Sequence, residues 1–415
     1  MRQIYLDNQS NTMLDRRVFE VMEPFFLDNY GNPQSIYSLG AVSKDALESA
    51  RKQVADYIKA DADEIIFTSC GTESNNLALK GIAEALKSRG KHIIVSSIEH
   101  FSVLNTARKL QRDGFDVTYV PVDSTGNIIE DELLKALRKD TILVSIQFAN
   151  TEIGTIQNIK KLVAAVKSSR VNDFVVFHTD AVSAGGMVSL DVKDIGVDAL
   201  TLASSTMYGP KGAAALYLKK GLHIIPQMNG GIQEYSKRAG TENIPAVVGF
   251  GKACEIAKEE TESNNSKIKK LRDKLINELP KKIEYIYLNG ALENRLAGNV
   301  NFSVEFVEGE SLFLLLDAKG IMAASGSACA NKNLKMSHVL EAIKVDAAVG
   351  QGSLLLTLSK YNTEDDVDYV IDELPCIVKK LRDMSPLYSY FIKTGSRKPA
   401  GAGTDFEGHK GHCLL

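Results

Sequence analysis

Short apolar runs alternate with helical segments between residues 64 and 217, and this alternation constrains the fold more than any other feature. The segments between the runs carry apolar residues at the 3.6-residue spacing of a helix. Short strands that alternate with helices predict a mostly parallel sheet covered on both faces, an α/β fold. The predicted strands lie at residues 64–67, 91–96, 116–120, 142–147, 174–178, 200–203 and 214–217.

The pattern changes near Lys252, where a long charged segment with helical spacing begins. Strand-like runs at 299–304 and 354–358 then predict a second, smaller α+β domain. The end of the sequence is rich in glycine and poor in apolar residues, a composition typical of disorder. We therefore predict an N-terminal segment that packs with the small domain (1–15), a large domain (16–258), the small domain with Cys329 (259–390) and a disordered tail (391–415).

Composition narrows the class of protein. A length of 415 residues with 44% hydrophobic and 24% charged residues is typical of a globular protein with a large and a smaller domain. The net charge of -3 gives no electrostatic reason to bind nucleic acid or a membrane surface. The start, MRQIYLDNQS, lacks the pattern of a signal peptide. Five widely spaced cysteines indicate a reducing, cytoplasmic setting without disulfides.

Residues 68–76, Thr-Ser-Cys-Gly-Thr-Glu-Ser-Asn-Asn, connect a predicted strand to a predicted helix. Free backbone N–H groups at a helix N-terminus attract anions, and Gly71 with the Thr72 hydroxyl would let a phosphate approach closely. The same residue types also make an ordinary helix cap, so this segment alone leaves both interpretations open.

Two further polar residues stand at the predicted carboxyl edge of the sheet, where open α/β sheets place ligands. His100 follows the second strand in Ser97-Ile-Glu-His100, and Asp180 ends the fifth strand in FVVFHTD. Each also has a structural alternative, because a single histidine is often structural and an aspartate at a strand end often caps the next turn.

Cys329 lies in a run of small residues, Ala324-Ser-Gly-Ser-Ala-Cys329. Small, polar surroundings keep a thiol exposed, whereas structural cysteines lie among apolar neighbours. Cys329 is therefore the strongest candidate for a reactive residue, with an incidental surface thiol as the alternative.

Together these motifs resemble those of the cysteine desulfurases, fold-type I enzymes that use pyridoxal 5'-phosphate (PLP) to take sulfur from cysteine. The resemblance runs from about residue 4 to 388 and includes Tyr208-Gly-Pro-Lys-Gly212 and Arg238-Ala-Gly-Thr-Glu-Asn243. It implies the fold of PLP-dependent transferases, a homodimer, and a partner that is an iron–sulfur scaffold or a sulfur-acceptor protein.

The resemblance also implies roles for the cofactor site. Gly71 and Thr72 would bind the PLP phosphate, and Thr241 would reach the phosphate in the other subunit. His100 would stack on the pyridine ring, while Asp180 would pair with its nitrogen and keep the ring an electron sink.

The same resemblance implies different roles for Cys329 and Cys70. Cys329 would attack the substrate sulfur and carry it as a persulfide, or ligate a transient 2Fe–2S cluster shared with a scaffold. Cys70 occupies a variable position of the family motif, so we expect a small, buried residue there.

At several positions the sequence departs from the family pattern. Thr206 replaces the lysine that holds PLP as a Schiff base, and Ser205 replaces the histidine before it. Thr151 and Ser183 replace an asparagine and a glutamine that contact the cofactor. Leu355 replaces the arginine that grips the substrate carboxylate. Losing general acid–base catalysis alone costs about 10²–10⁴ in rate.

Three hypotheses therefore remain open. The first is a desulfurase-like protein of sulfur transfer or iron–sulfur cluster assembly, with weak or lost desulfurase activity and Cys329 as sulfur carrier or cluster ligand. The second is an active desulfurase that converts cysteine to alanine and enzyme-bound sulfur with non-covalent PLP. The third is a non-catalytic partner that regulates an active paralogue.

Overall fold

The computed structural model describes residues 2–169, 171, 174–325 and 336–397. In chain order its strands and α-helices are β1 (Ile4–Tyr5), α1 (Arg16–Met22), α2 (Pro24–Leu27), α3 (Ser38–Ile58), β2 (Ile65–Thr68), α4 (Gly71–Leu86), β3 (His92–Ser96), α5 (Phe101–Arg112), β4 (Asp116–Val120), α6 (Glu130–Ala136), β5 (Thr141–Ser145), α7 (Ile159–Ser168), β6 (Val176–Asp180), α8 (Val192–Ile195), β7 (Ala199–Ala203), β8 (Ala214–Leu218), α9 (Gln233–Ser236), α10 (Ile244–Lys282), β9 (Ile286–Leu288), β10 (Asn299–Val304), α11 (Gly309–Ala318), β11 (Ile321–Met322), α12 (His338–Ala342), α13 (Ala347–Gly350), β12 (Ser353–Thr357), α14 (Glu364–Asp383) and α15 (Pro386–Thr394).

The large sheet has the strand order β2-β8-β7-β6-β5-β3-β4. β8 runs antiparallel to both of its neighbours, and the other pairs are parallel. Alternate side chains enter two cores: Ile94 packs in the cluster that includes residues of α3, α7 and α10, whereas Ile93 and Val95 pack with α4 and α5. The predicted α/β fold with a mostly parallel sheet covered on both faces is confirmed.

A smaller antiparallel sheet, in the order β12-β10-β9, forms a separate core with α11, α14 and the second half of α10. β1 pairs with β11 in parallel, and Ile4 and Leu6 are buried in this smaller core. The division between the two predicted domains, at residues 258 and 259, lies inside α10, which continues through it without interruption. The domain boundaries stay a prediction.

The C-terminal helix α15 extends past residue 391, where the disordered tail was predicted to begin. The reason is aromatic packing: the Phe391 ring stacks on Phe306, with centroids 4.9 Å apart, and meets Tyr285 edge-on at 5.3 Å. The tail boundary was therefore placed too early, and residues 398–415 lie outside the described residues. None of the helices that the structure describes is both long and apolar enough to cross a bilayer.

Candidate active site

A cavity of about 270 Å³ lies at the carboxyl ends of β3, β5, β6 and β7. Most of the residues that the sequence predicted for a cofactor line it: Gly71, Thr72, His100, Thr151, Asp180, Ser183, Ser205 and Thr206. Thr241 is described but exposed, and it is not among the lining residues. Cys329 lies outside the described residues.

Asp180, the last residue of β6, is buried beside the cavity. Its Oδ2 accepts the Asn75 side-chain amide at 2.6 Å, and its Oδ1 accepts the Val182 backbone N–H at 3.0 Å. Burial raises the pKa of Asp180, while the Val182 N–H, the nearby His100 and the Asn75 amide act against that rise. The arrangement holds a carboxyl group in one orientation at the cavity wall.

His100 is the residue that caps the N-terminus of α5. Its Nδ1 accepts the Ser102 backbone N–H at 3.1 Å and lies 2.8 Å from the Ser102 hydroxyl. That hydroxyl also accepts the second Asn75 N–H at 2.8 Å. Because Nδ1 accepts the backbone N–H, the ring proton of a neutral imidazole is on Nε2. His100, Ser102, Asn75 and Asp180 thus form one continuous hydrogen-bonded chain.

The start of α4 forms another part of the wall. Gly71 packs so closely on Val182 that a Cβ at this position would lie 2.7 Å from Val182 Cγ2. Thr72 is exposed in the first turn, where backbone N–H groups point out of the helix. Cys70, in extended conformation before the helix, is exposed and lines the cavity, so the prediction of a buried residue there was wrong.

An ion pair ties this turn to the loop that carries Thr241. Arg238 Nε donates to Glu73 Oε1 at 2.8 Å. Oε2 of the same carboxylate accepts the Ser69 backbone N–H at 2.8 Å. The Arg238 guanidinium and the Ser69 bonds outweigh the burial of Glu73 and lower the pKa of that carboxyl. The 238–241 loop and the start of α4 are therefore held together.

Thr206 follows β7 in a single 3₁₀ turn. Its hydroxyl donates to the Val182 carbonyl at 2.8 Å, so its hydrogen is used by the protein backbone. Among the described residues that line the cavity, none is a lysine or an arginine. Lys211, the nearest lysine in the sequence, is exposed and lies outside the lining.

Leu355 of β12 brings the smaller sheet to the cavity. It is buried, and its backbone pairs with Ala324 through hydrogen bonds of 2.8 and 3.1 Å.

Thr151 lines the cavity in the turn after Asn150, whose Oδ1 accepts the Glu152 and Ile153 N–H groups at 2.9 Å. Asn150 thereby shapes the turn that carries Thr151.

Sequence reasoning missed two buried carboxyl groups in the cavity wall, Glu99 and Glu152. Burial raises the pKa of each to about 8, although Glu99 accepts hydrogen bonds from Ser96 and Gln147 and Glu152 accepts one from Ser337. Both glutamates stand inside motifs that were recognised, beside His100 and Thr151. The motifs did not indicate that these side chains would be buried.

His338 is a third residue that sequence reasoning missed. Its Nε2 donates to the Glu99 carbonyl at 3.0 Å, and its ring packs against Phe101 with centroids 4.8 Å apart.

Two polar atoms of the wall, Asn75 Oδ1 and Glu99 Oε2, are buried without a partner among the described residues. A buried polar atom of this kind can be satisfied by a bound water, ion or polar ligand. The described residues contain no cluster of three or more histidine, cysteine, aspartate or glutamate side chains placed to hold a metal ion.

Comparison with known proteins assigns the family. The aminotransferase class-V family matches residues 4–370. The cysteine desulfurase IscS of Methanosarcina thermophila is 52% identical over 384 residues, which cover 92% of this chain and 94% of that protein. The IscS of Dictyoglomus turgidum is 47% identical, with 93% and 97% covered. A solved NifS-like protein superimposes with a TM-score of 0.86 at 37% identity, covering 91% of this chain and all of that one. The chain therefore belongs to the aminotransferase class-V family and, within it, to the IscS- and NifS-like cysteine desulfurase group.

Proposed function

We propose that this protein serves sulfur transfer in iron–sulfur cluster assembly, with Cys329 as persulfide carrier or cluster ligand and with weak or lost desulfurase activity. The observation that carries the proposal is the cavity lining, whose described residues include no lysine and no arginine. The residue at the position of the family lysine is Thr206, and its hydroxyl is bonded to Val182.

The cavity fits PLP in part. The backbone N–H groups in the first turn of α4, at Gly71 and Thr72, suit a phosphate, and the unpartnered Asn75 and Glu99 oxygens suit a polar ligand. Asp180 and His100 would hold the pyridine ring, and PLP when bound would supply an electron sink. No described lining residue offers an amine for covalent attachment, so binding would be non-covalent.

Without a lysine, this chain's own residues have limited means to move protons at the substrate. A general base must lie within hydrogen-bond distance of the proton that it removes. His100 and His338 are the lining residues with imidazole groups, and the His100 Nδ1 is already an acceptor for Ser102. Leu355, in place of an arginine, cannot bind a carboxylate by paired hydrogen bonds. Weak turnover is the expected consequence.

The remaining parts of the proposal concern the assembly. The exposed Thr241, on the loop tied to Glu73, supports a homodimer in which each subunit completes the other's phosphate site. A scaffold or sulfur-acceptor protein would take the sulfur from Cys329, and a 2Fe–2S cluster bound there would be transient cargo. The proposed setting is the reducing cytoplasm.

An active desulfurase with non-covalent PLP is the second candidate. The continuous chain from Asp180 through Asn75 and Ser102 to His100 favours it, because these bonded groups would orient a pyridine ring. The two candidates differ only in whether turnover occurs without the lysine.

The test measures sulfide and alanine release from cysteine with added PLP, using the protein, Thr206→Lys and Cys329→Ala. We expect little turnover by the protein and a gain of about 10²–10⁴ in Thr206→Lys. Thr206→Met is the matched control, because methionine has similar length without the amine. PLP uptake is followed separately by absorbance.

Each other result has a defined meaning. Turnover by the protein that is lost in Cys329→Ala would replace the first candidate by the second. PLP uptake without turnover in any variant would favour a non-catalytic partner of an active paralogue. Absence of PLP uptake by every variant would contradict the cofactor part of the proposal.

A further inference from the structure

The short turn α9 precedes the loop that carries Thr241, and its backbone is unusual. Three consecutive residues, Glu234, Tyr235 and Ser236, have left-handed backbones with φ of 45°, 56° and 63°. None of them is glycine, and a left-handed backbone is unfavourable for a residue that has a side chain. Such a turn persists only where other contacts offset its strain.

A buried ion pair holds the first residue of this turn. The two oxygens of the Glu234 carboxylate accept hydrogen bonds from Nη1 and Nη2 of Arg51, on α3, at 2.7 Å each. The Glu234 side chain exposes 1% of its surface and the Arg51 side chain 3%. The guanidinium also lies 4.9 Å from the centre of the Phe67 ring and 5.2 Å from that of Tyr235. These contacts hold the left-handed turn against α3.

The same ion pair bonds the strand that leads to the proposed phosphate site. Glu234 Oε2 accepts the Phe67 backbone N–H at 2.7 Å, and Arg51 Nη1 donates to the Ile65 carbonyl at 2.8 Å. Both backbone groups belong to β2, the edge strand of the large sheet, so the ion pair takes the place of a neighbouring strand there. Gly71, which begins α4, follows Phe67 by four residues.

A second, more exposed ion pair joins the far end of the loop to the same segment. Arg238 donates to Glu73 in the first turn of α4, and these two side chains expose 19% and 21% of their surface. Gln233 Oε1 accepts the Gly240 backbone N–H at 3.2 Å and closes the loop across its base. Residues 233–241 are therefore held to residues 67–73 at two points, of which the contact through Glu234 is the buried one.

We propose that Glu234 is a positioning residue for the anion-binding turn at the start of α4, acting through Arg51 and the Phe67 N–H. This role rests on the proposed phosphate site and does not depend on turnover. With Glu234 in place, the strained turn keeps the end of β2 and the 238–241 loop in one arrangement around the phosphate. Without it, α9 relaxes to a more favourable backbone and the loop leaves the start of α4.

The test replaces the ion pair without leaving a buried charge. In Arg51→Met/Glu234→Leu both partners become apolar, and replacing a buried pair in this way is often neutral for stability. We expect the melting temperature to stay within about 5 °C of that of the protein. The dissociation constant for PLP, measured by isothermal titration calorimetry, should rise about tenfold. A purely structural ion pair would leave both quantities unchanged in this variant.

A second readout needs no ligand. Trypsin cleaves after Lys237 and Arg238 faster when the loop opens locally. We expect this cleavage to be about tenfold faster in the double variant, relative to cleavage after the exposed Lys344. Ser236→Gly is the matched control, because glycine adopts the left-handed backbone without strain. Its melting temperature should rise, while PLP affinity and cleavage stay within about twofold of the protein.

A double variant that keeps either its PLP affinity or its cleavage rate would overturn the proposal. A loss of affinity together with a fall of more than about 5 °C in melting temperature would also overturn it, because the pair would then act on stability. Should the double variant not fold, Glu234→Gln replaces it, since one amide oxygen remains for the Phe67 N–H. A rise in cleavage below about twofold would then count against the proposal, and a larger rise would support it. If the protein itself takes up no PLP, the cofactor part of the proposed function fails, and the cleavage rates alone decide whether Glu234 positions the loop.

Discussion

Two groups of residues in the same cavity wall use their polar atoms in different ways. In the first, the side chains of Asn75, His100, Ser102 and Asp180 bond to one another in a continuous chain. In the second, the side chains are short or apolar, at the positions to which the sequence resemblance assigns lysine, histidine, asparagine, glutamine and arginine: Thr206, Ser205, Thr151, Ser183 and Leu355. The first group would orient a cofactor ring, whereas the second lacks the amine that would react and the guanidinium that would bind a substrate carboxylate. The difference teaches that a wall can keep the polar chain that would orient a ring while it lacks the groups that would react with a substrate.

A substitution at Asp180 is the strongest test of the difference between the two groups of wall residues. Asp180→Asn keeps the size of the side chain but removes the charge that would pair with a pyridinium nitrogen. We expect PLP affinity to fall about 100-fold, the effect of losing a charged hydrogen bond in a buried site. Isothermal titration calorimetry with PLP measures it. Asp198→Asn, at the opposite end of the same sheet, is the control, and an equal loss in both variants would contradict a specific role for Asp180.

The two buried glutamates predict a dependence of stability on pH. Burial raises the pKa of Glu99 and of Glu152 to about 8 from an ordinary value of 4.5. The folded state therefore binds more protons than the unfolded state between these values, so the free energy of unfolding falls as pH rises through about 8. We expect Glu99→Gln and Glu152→Gln each to reduce that fall by roughly 4 kcal/mol between pH 5 and 9.

Urea denaturation between pH 5 and 9 measures this effect. Below about pH 6.5 a second group opposes it, because burial lowers the pKa of His178 to about 3 and its stabilising contribution is lost as pH falls. Glu259→Gln, an exposed position on α10, is the control for the substitution itself. Identical slopes in all variants would show that the two carboxyl groups are ionised in the folded protein.

The sequence predicted the large sheet and pointed to two residues of the first group, His100 and Asp180, because these depend on local signals. A short apolar run that forms a buried strand can be recognised within a few residues. The same is true of the helix start that contains Gly71 and Thr72. Asp180 was predicted from its place at a strand end, and the structure buries it there. These features follow from secondary structure and need no knowledge of distant contacts.

The features that could not be predicted depend on contacts between distant parts of the chain. Ser337 lies 185 positions from Glu152, and nothing in either segment indicates their hydrogen bond. Cys70 was expected to be buried because it occupies a variable position of the family motif, but its extended backbone places it at the cavity. The end of α15 was missed since the Phe391 packing involves Tyr285 and Phe306.

Gly71, which begins the helix that carries Asn75 of the first group, offers a way to sharpen the comparison. In Gly71→Ala, the new Cβ would lie 2.7 Å from Val182 Cγ2 and force the two segments apart. We expect the free energy of unfolding to fall by about 1–2 kcal/mol, the usual effect of overpacking. PLP affinity should fall as well, by about tenfold, because the displaced turn carries the proposed phosphate contacts. Gly71→Ala/Val182→Ala should recover both quantities, and a double variant as weak as the single one would contradict the steric explanation.

The smallest effect is expected at Thr206, in the second group. Thr206→Val keeps the shape of the side chain and removes only the hydroxyl that donates to the Val182 carbonyl. The free energy of unfolding should fall by about 1 kcal/mol, the net contribution of one neutral hydrogen bond, as measured by urea denaturation. PLP affinity should change by less than about threefold, because this hydroxyl is bonded to the backbone and has no hydrogen left for a ligand. A loss of affinity near that of Asp180→Asn would mean that Thr206 does hold the cofactor, and the two groups of the wall would then share the task of binding.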